Sequence, residues 1–219
     1  MPIHYTISYQ NPLSHYVDIG LKCQFKEKGL QNFMIPAWRP GRYQLTNYAG
    51  NIRGFNARDQ HGDQLLSKKV SRNCWQVSIR ESTTVDISYQ YYAYQLDAGG
   101  SVLDEKQLYL NFINCLVYLP ELINEPCMVN LQIDPAYKIA CGLAKGKPRQ
   151  LLARDYYQLV DSPMIASPKL KHWEFQKHGV KFHVWFQGSH RLSKTKTIDA
   201  FKSFASEQIQ TMGQFPESD

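Results

Sequence analysis

Val17, Ile19, Leu21, Cys23 and Phe25 take every second position between polar neighbours, and no other feature constrains the fold of this chain as strongly. Successive side chains on a strand point to opposite faces, so such a run makes a strand with one face in a core and one in water. The alternation recurs in Trp75-Val77-Ile79, in Val85-Ile87-Tyr89-Tyr91, in Cys127-Val129-Leu131-Ile133 and in Val180-Phe182-Val184-Phe186. Turn-forming clusters separate the runs: Gln60-His61-Gly62-Asp63, Asp97-Ala98-Gly99-Gly100 and Lys145-Gly146-Lys147-Pro148. Many short strands at this spacing predict an all-β domain over residues 1–190, an antiparallel β-sandwich or saddle-shaped sheet and not a βαβ fold. With 43% hydrophobic residues in 219, a sizeable core can be built.

The period changes once, after Arg191. Ile198, Phe201, Phe204, Ala205, Ile209 and Met212 recur at three- and four-residue steps, which predicts one amphipathic helix over 197–212. Thr197 suits its N-cap, Asp199 its first turn and Gly213 its left-handed C-terminal cap. Residues 191–219 therefore read as a helical segment that must bury its stripe on the β domain, on a following domain or on a second copy of the chain.

Composition narrows the function classes. No apolar run approaches the ~18–20 residues of a membrane helix, so no membrane partner is expected. Met1-Pro2-Ile3-His4-Tyr5 has neither a basic nor an apolar leader region, which predicts a cytoplasmic protein. Cys23, Cys74, Cys115, Cys127 and Cys141 are odd in number and form no C-x-x-C pair; reduced, buried thiols are expected. Of the net charge of +6, residues 138–202 carry 13 Lys/Arg against 4 Asp/Glu. These bases scatter through turns and strand edges without forming a run, so a partner-facing or solvated surface is expected and nucleic acid is not.

A complete catalytic set is missing. No His precedes Glu and no two His stand four apart, which excludes a helical H-E-x-x-H zinc site. His178 and His183, five apart, lack a standard ligand spacing. Gly188-Ser189-His190 lacks the flanking glycine of a nucleophile elbow. Gly142 to Lys147 is one residue short of a phosphate loop and has Pro148 where Ser or Thr would bind magnesium. Asp104 and Glu105 are adjacent and so point apart on a strand.

The densest unusual segment is Pro36-Ala37-Trp38-Arg39-Pro40-Gly41-Arg42-Tyr43. Two prolines and a glycine stiffen a loop that presents an indole and two guanidinium groups. It reads either as a rigid corner with Trp38 tucked into the core or as a wall of a binding cleft formed by Trp38, Arg39, Arg42 and Tyr43. Arg would hold a peptide carboxylate and the rings would pack a side chain; alternatively, both arginines pair with acids inside the sandwich.

That loop resembles the N-terminal domain of the glycyl-aminopeptidase family of zinc metallopeptidases, H-E-x-x-H enzymes that often carry a PDZ domain. The likeness extends through Tyr9-Gln10-Asn11-Pro12, Tyr48-Ala49-Gly50-Asn51-Ile52 and Asn73-Cys74-Trp75-Gln76-Val77. It continues in Arg154-Asp155-Tyr156-Tyr157-Gln158-Leu159-Val160-Asp161-Ser162-Pro163 and ends in Gly213-Gln214-Phe215-Pro216. The resemblance implies a non-catalytic front domain that caps and shapes the substrate cleft of a peptidase catalytic domain. In the family the zinc helix follows the Phe-Pro element, whereas here three residues remain, Glu217-Ser218-Asp219. No catalytic residue, metal ligand or cofactor is therefore expected in this chain, zinc belonging to the catalytic domain alone. The expected partners are that domain or a peptide substrate, with a homodimer through the C-terminal helix when the domain is absent. The alternative is a free-standing β-sandwich module for peptide or carbohydrate.

Overall fold

The computed structural model describes residues 2–42, 44–189 and 191–213. Tyr43, His190 and the segment holding Phe215 and Pro216 lie outside the described residues. In chain order the strands are β1 (Ile3–Ser8), β2 (Tyr16–Phe25), β3 (Gly29–Met34), β4 (Ile52–Arg58), β5 (Ser67–Ser71) and β6 (Cys74–Ile79). They continue with β7 (Thr83–Tyr92), β8 (Val102–Leu103), β9 (Leu108–Leu110), β10 (Cys127–Gln132) and β11 (Lys138–Cys141). The last are β12 (Ala144–Lys145), β13 (Gln150–Ala153), β14 (Met164–Ser167), β15 (Lys171–Lys177) and β16 (Val180–Phe186). The α-helices are two short ones, α1 (Phe112–Cys115) and α2 (Tyr156–Val160), and one long one, α3 (Lys194–Met212). The chain divides into two compact units, Met1–Ala166 and Ser167–Asp219.

The first unit is built on a seven-stranded sheet in the order β12-β13-β10-β1-β2-β7-β4. Smaller sheets, β11-β14-β9-β8 and β3-β6-β5, complete it. The alternating runs form these strands as their period requires. Val17, Ile19, Leu21, Cys23 and Phe25 are all buried, as are Val85, Ile87, Tyr89 and Tyr91. Cys127, Val129, Leu131 and Ile133 are buried in the same core. Against the antiparallel pattern, β1 and β10 run parallel, Ile3 opposite Cys127 through Ser8 opposite Gln132. A face pattern states which side of a strand is apolar, not which strand lies beside it.

The core encloses α1 and the irregular backbone that follows it. From Phe112 to Leu119 the chain is almost wholly buried, where water cannot satisfy its amides. Three tyrosine hydroxyls do so. Tyr5 Oη donates to the Val117 carbonyl at 2.9 Å, and Tyr156 Oη donates to the Leu116 carbonyl at 2.7 Å. Tyr89 Oη donates to the Cys115 carbonyl at 2.7 Å and accepts from the Val117 N–H at 3.0 Å. The Tyr156 segment thereby acquires a physical reason. Asp155 Oδ1 caps α2 by accepting from Gln158 N at 2.7 Å, which aims Tyr156 inward, and Leu159 is fully buried.

The second unit is the β15–β16 hairpin and α3. Its turn is His178-Gly179, with φ of 50° and 80°, the left-handed pair that a two-residue hairpin favours. Phe175 stacks on Phe182 directly across the pair, centroids 4.8 Å apart, and Trp173 packs on Phe186 at 4.4 Å. The helix starts earlier than its apolar period predicts, with Ser193 and not Thr197 at the N-cap, because Lys194–Lys196 add a polar first turn. Gly213 ends it at φ 84° as expected. Its stripe divides in two: Ile198 and Ala205 are buried and Ile209 is half-buried, whereas Phe201 (41%), Phe204 (61%) and Met212 (76%) stay exposed.

Candidate functional site

The loop after β3 leaves the core at fully buried Ile35, whose N–H bonds the Asn73 carbonyl and whose carbonyl accepts from Asn73 Nδ2, each at 3.0 Å. It returns at Thr46, whose N–H reaches the Ala37 carbonyl at 2.7 Å. Between these ties Arg39-Pro40-Gly41-Arg42 forms a tight turn, with Arg42 N donating to the Arg39 carbonyl at 3.4 Å. Proline at the second position and a glycine at φ 79° in the third are what a type II turn demands. The turn carries its side chains apart from the core. Trp38 is 46% exposed, so it does not serve as a core residue.

Arg39 is seated on the turn between Tyr94 and β8. Its guanidinium lies against Gly99, where any Cβ would collide with it. The next residue, Gly100, also has no room for a side chain, since a Cβ there would run into the Gln95 carbonyl. Asp97 organises this turn, accepting from the Gly99 N–H at 2.7 Å and from Gln95 Nε2 at 2.6 Å. The Gln95 amide, the Gly99 and Gly100 N–H groups and the charge of Arg42 together hold its carboxyl below the usual range. Burial pushes the Tyr109 hydroxyl up, against the opposing charge of Arg39.

Beneath the seat lie buried amides. Asn114 Nδ2 donates to the Gly99 carbonyl at 2.8 Å, while Asn111 N donates to Ser101 Oγ at 3.1 Å. Two polar atoms next to Gly99 stay unmet: the donor Arg39 Nε and the acceptor Asn114 Oδ1, both buried without a hydrogen-bond partner. An orphaned buried polar group costs about 1–3 kcal/mol, so the close seating of Arg39 on Gly99 is held against a local cost. The structure thus brings Trp38, Arg39 and Arg42 onto one turn and adds Gly99, Asp97 and Asn114. Sequence reasoning recognised Asp97-Ala98-Gly99-Gly100 only as a turn; its two adjacent glycines were the available signal. His178 and His183 are not brought together, for His178 occupies the hairpin turn and His183 the strand beyond it. The cysteines form no disulfide.

An antiparallel-sheet body with a buried, tyrosine-clamped segment and a stiff Arg-bearing loop defines the class as a β-rich domain of several packed sheets. The sequence profile of the peptidase M61 N-terminal domain matches residues 4–168, and the chain belongs to that family. Its fold is similar to an aminopeptidase N family protein from Idiomarina loihiensis, with TM-score 0.89 and 25% identity over 99% of this chain. An M1 zinc metallopeptidase from Deinococcus radiodurans shares the fold more distantly, with TM-score 0.51 and 9% identity over 92% of this chain. The chain spans 38% of the first protein and 51% of the second. No curated protein matches it. The metallopeptidase motif H-E-x-x-H does not occur in the 219 residues, so these residues do not fit a catalytic zinc of that kind. No helix among the described residues is long and apolar enough to cross a membrane.

Proposed function

We propose that this chain is the non-catalytic front domain of a glycyl-aminopeptidase-like M61 metallopeptidase, capping and shaping the substrate cleft of a catalytic domain. The family match over residues 4–168 carries the reading. The loop of Trp38, Arg39 and Arg42, with Tyr43 beside them in sequence, forms one wall of that cleft. Support comes from the exposed indole of Trp38, which offers an apolar face to a peptide side chain. Arg39 and Arg42 add positive charge for a carboxylate. The outer face of α3, with Phe201, Phe204 and Met212, docks on the catalytic domain.

Complementation tests this. The 219-residue chain alone is expected to give no turnover of glycyl or alanyl anilides. Added to a separately expressed M61 catalytic domain, it is expected to raise kcat/KM. Trp38→Ala and Arg39→Ala are expected to lower the restored rate at least tenfold. A catalytic domain whose turnover the chain leaves unchanged refutes the capping role, and full restoration by both variants refutes the cleft wall.

A further inference from the structure

The outer face of the β15–β16 hairpin gathers side chains that the cleft reading leaves unused. Glu174 stands directly opposite His183 in the strand register, and His172 opposite Trp185 two residues along. Residues two apart share a face, so His172, Glu174 and His183 form one cross-strand cluster, all exposed. Their ligand atoms lie within 4.8 Å of one another. His172 Nε2 and His183 Nδ1 are 2.8 Å apart, and Glu174 Oε2 is 4.0 Å from His183 Nδ1.

We propose that His172, Glu174 and His183 bind a divalent transition-metal cation of the zinc class on the outer face of this hairpin. Two imidazole nitrogens and a carboxylate suit zinc, nickel or copper(II), whereas calcium and magnesium require oxygen ligands throughout. A tetrahedral zinc with bonds of about 2.0–2.1 Å sets its ligand atoms about 3.3 Å apart. The nitrogens therefore open by about half an ångström and the carboxylate oxygen closes on His183 by about 0.7 Å. Small χ rotations on an exposed face supply both movements. As the rings part, the imidazole that donated the hydrogen bond moves its proton through solvent to its other ring nitrogen, and each facing nitrogen then gives its lone pair to the metal. Three protein ligands leave a fourth position for water.

The scaffold holds the ligands in place. His172 stacks on Trp185 with centroids 4.2 Å apart and planes 20° from parallel, which orients its ring. Behind the cluster, Phe175 and Phe182 stack on the opposite face of the hairpin. The Glu174 carboxyl is held below its usual range by the hydrogen bond and charge of Lys181, with smaller help from both histidines. Lys181 is also the competitor, its Nζ lying 3.0 Å from Glu174 Oε2, and a metal must displace it from that oxygen.

Zinc titration of the tag-free 219-residue chain by calorimetry tests the proposal. One zinc per chain is expected, with micromolar affinity. His172→Ala and His183→Ala should each weaken it at least tenfold, and Glu174→Gln several-fold. Lys181→Met should tighten it several-fold, a gain that misfolding cannot produce. Cobalt(II) in place of zinc should give visible absorption bands that vanish in the His172→Ala/His183→Ala double variant. The proposal is overturned if the chain takes up no zinc at 100 micromolar. It is equally overturned if the double variant binds zinc as the parent does, the metal then sitting on thiols such as Cys141, or if Lys181→Met weakens binding.

Discussion

Replacing Tyr89 with phenylalanine removes one oxygen and strands two buried backbone groups. Its hydroxyl donates to the Cys115 carbonyl and accepts from the Val117 N–H, in a segment where residues 115–117 are fully buried. The ring itself stays packed, near Phe55 at 6.3 Å, so the loss is almost purely one of hydrogen bonding. At about 1–3 kcal/mol for each orphaned group, Tyr89→Phe should cost about 3–4 kcal/mol. Tyr5→Phe and Tyr156→Phe each strand one carbonyl, so each should cost about 1–2 kcal/mol. In urea, with m of about 2–3 kcal/mol/M, Tyr89→Phe should lower the midpoint by roughly 1–2 M without changing m. Far-UV circular dichroism reads the midpoint, and hydrogen exchange reads the Val117 amide, which should exchange faster in Tyr89→Phe. If Tyr89→Phe costs no more than Tyr5→Phe, the double bond of this hydroxyl is not what holds the segment.

Four further outcomes follow from the same structure. Burial raises the Tyr5, Tyr89 and Tyr156 hydroxyls well above their ordinary range and, with help from Asp86 and Asp155 respectively, pushes the Cys23 and Cys127 thiols up to about 12. The folded state keeps protons that the unfolded state releases, so this stability is complete below about pH 8.5 and is lost as pH climbs beyond it; urea midpoints at pH 7, 9 and 10.5 should fall in that order. Those thiols should also resist alkylation at pH 8 until denaturant exposes all five, as mass spectrometry would show. The isolated chain should self-associate through Phe201, Phe204 and Met212, and Phe201→Ser/Phe204→Ser should sediment as a monomer; equal association of the double variant would place the interface elsewhere. Gly99→Ala should unseat the Arg39 guanidinium and lower complementation as Arg39→Ala does while leaving the melting temperature within a few degrees, because only the end of a flexible side chain must move.

What the sequence discloses is what a period or a turn residue can encode. The alternations of β2, β6, β7 and β10 emerge as strands on the expected face. Pro40-Gly41 announces a tight turn, and Gly213 the end of α3. The buried stretch Phe112–Leu119 shows no such signal, since a mostly apolar run interrupted by Asn114 and held by tyrosines from three distant segments has no period. The seat of Arg39 is equally hidden, because Gly99 lies 60 positions away in the chain and reads by itself as an ordinary loop glycine. Cross-strand pairs such as His172 with His183 escape for the same reason: sequence spacing captures neighbours on one helix, not partners across a hairpin.

The parallel pairing of β1 with β10 has a consequence for how the protein is made. β1 lies inside the seven-stranded sheet, with β2 on one side and β10 on the other, and Tyr5 finds its Val117 partner 112 residues later. A ribosome adding ~5–20 residues per second needs roughly 6–22 s to cover that interval. Throughout it, the β1–β2 hairpin can form while the far edge of β1 stays unpaired, and an unpaired edge is a template for any strand that approaches. On a polysome the nearest such strand is β1 of the adjacent nascent chain, with the same apolar face. Synthesis of this domain thus depends on keeping neighbouring copies apart until β10 emerges, and slowing translation between residues 25 and 127 should increase its aggregation.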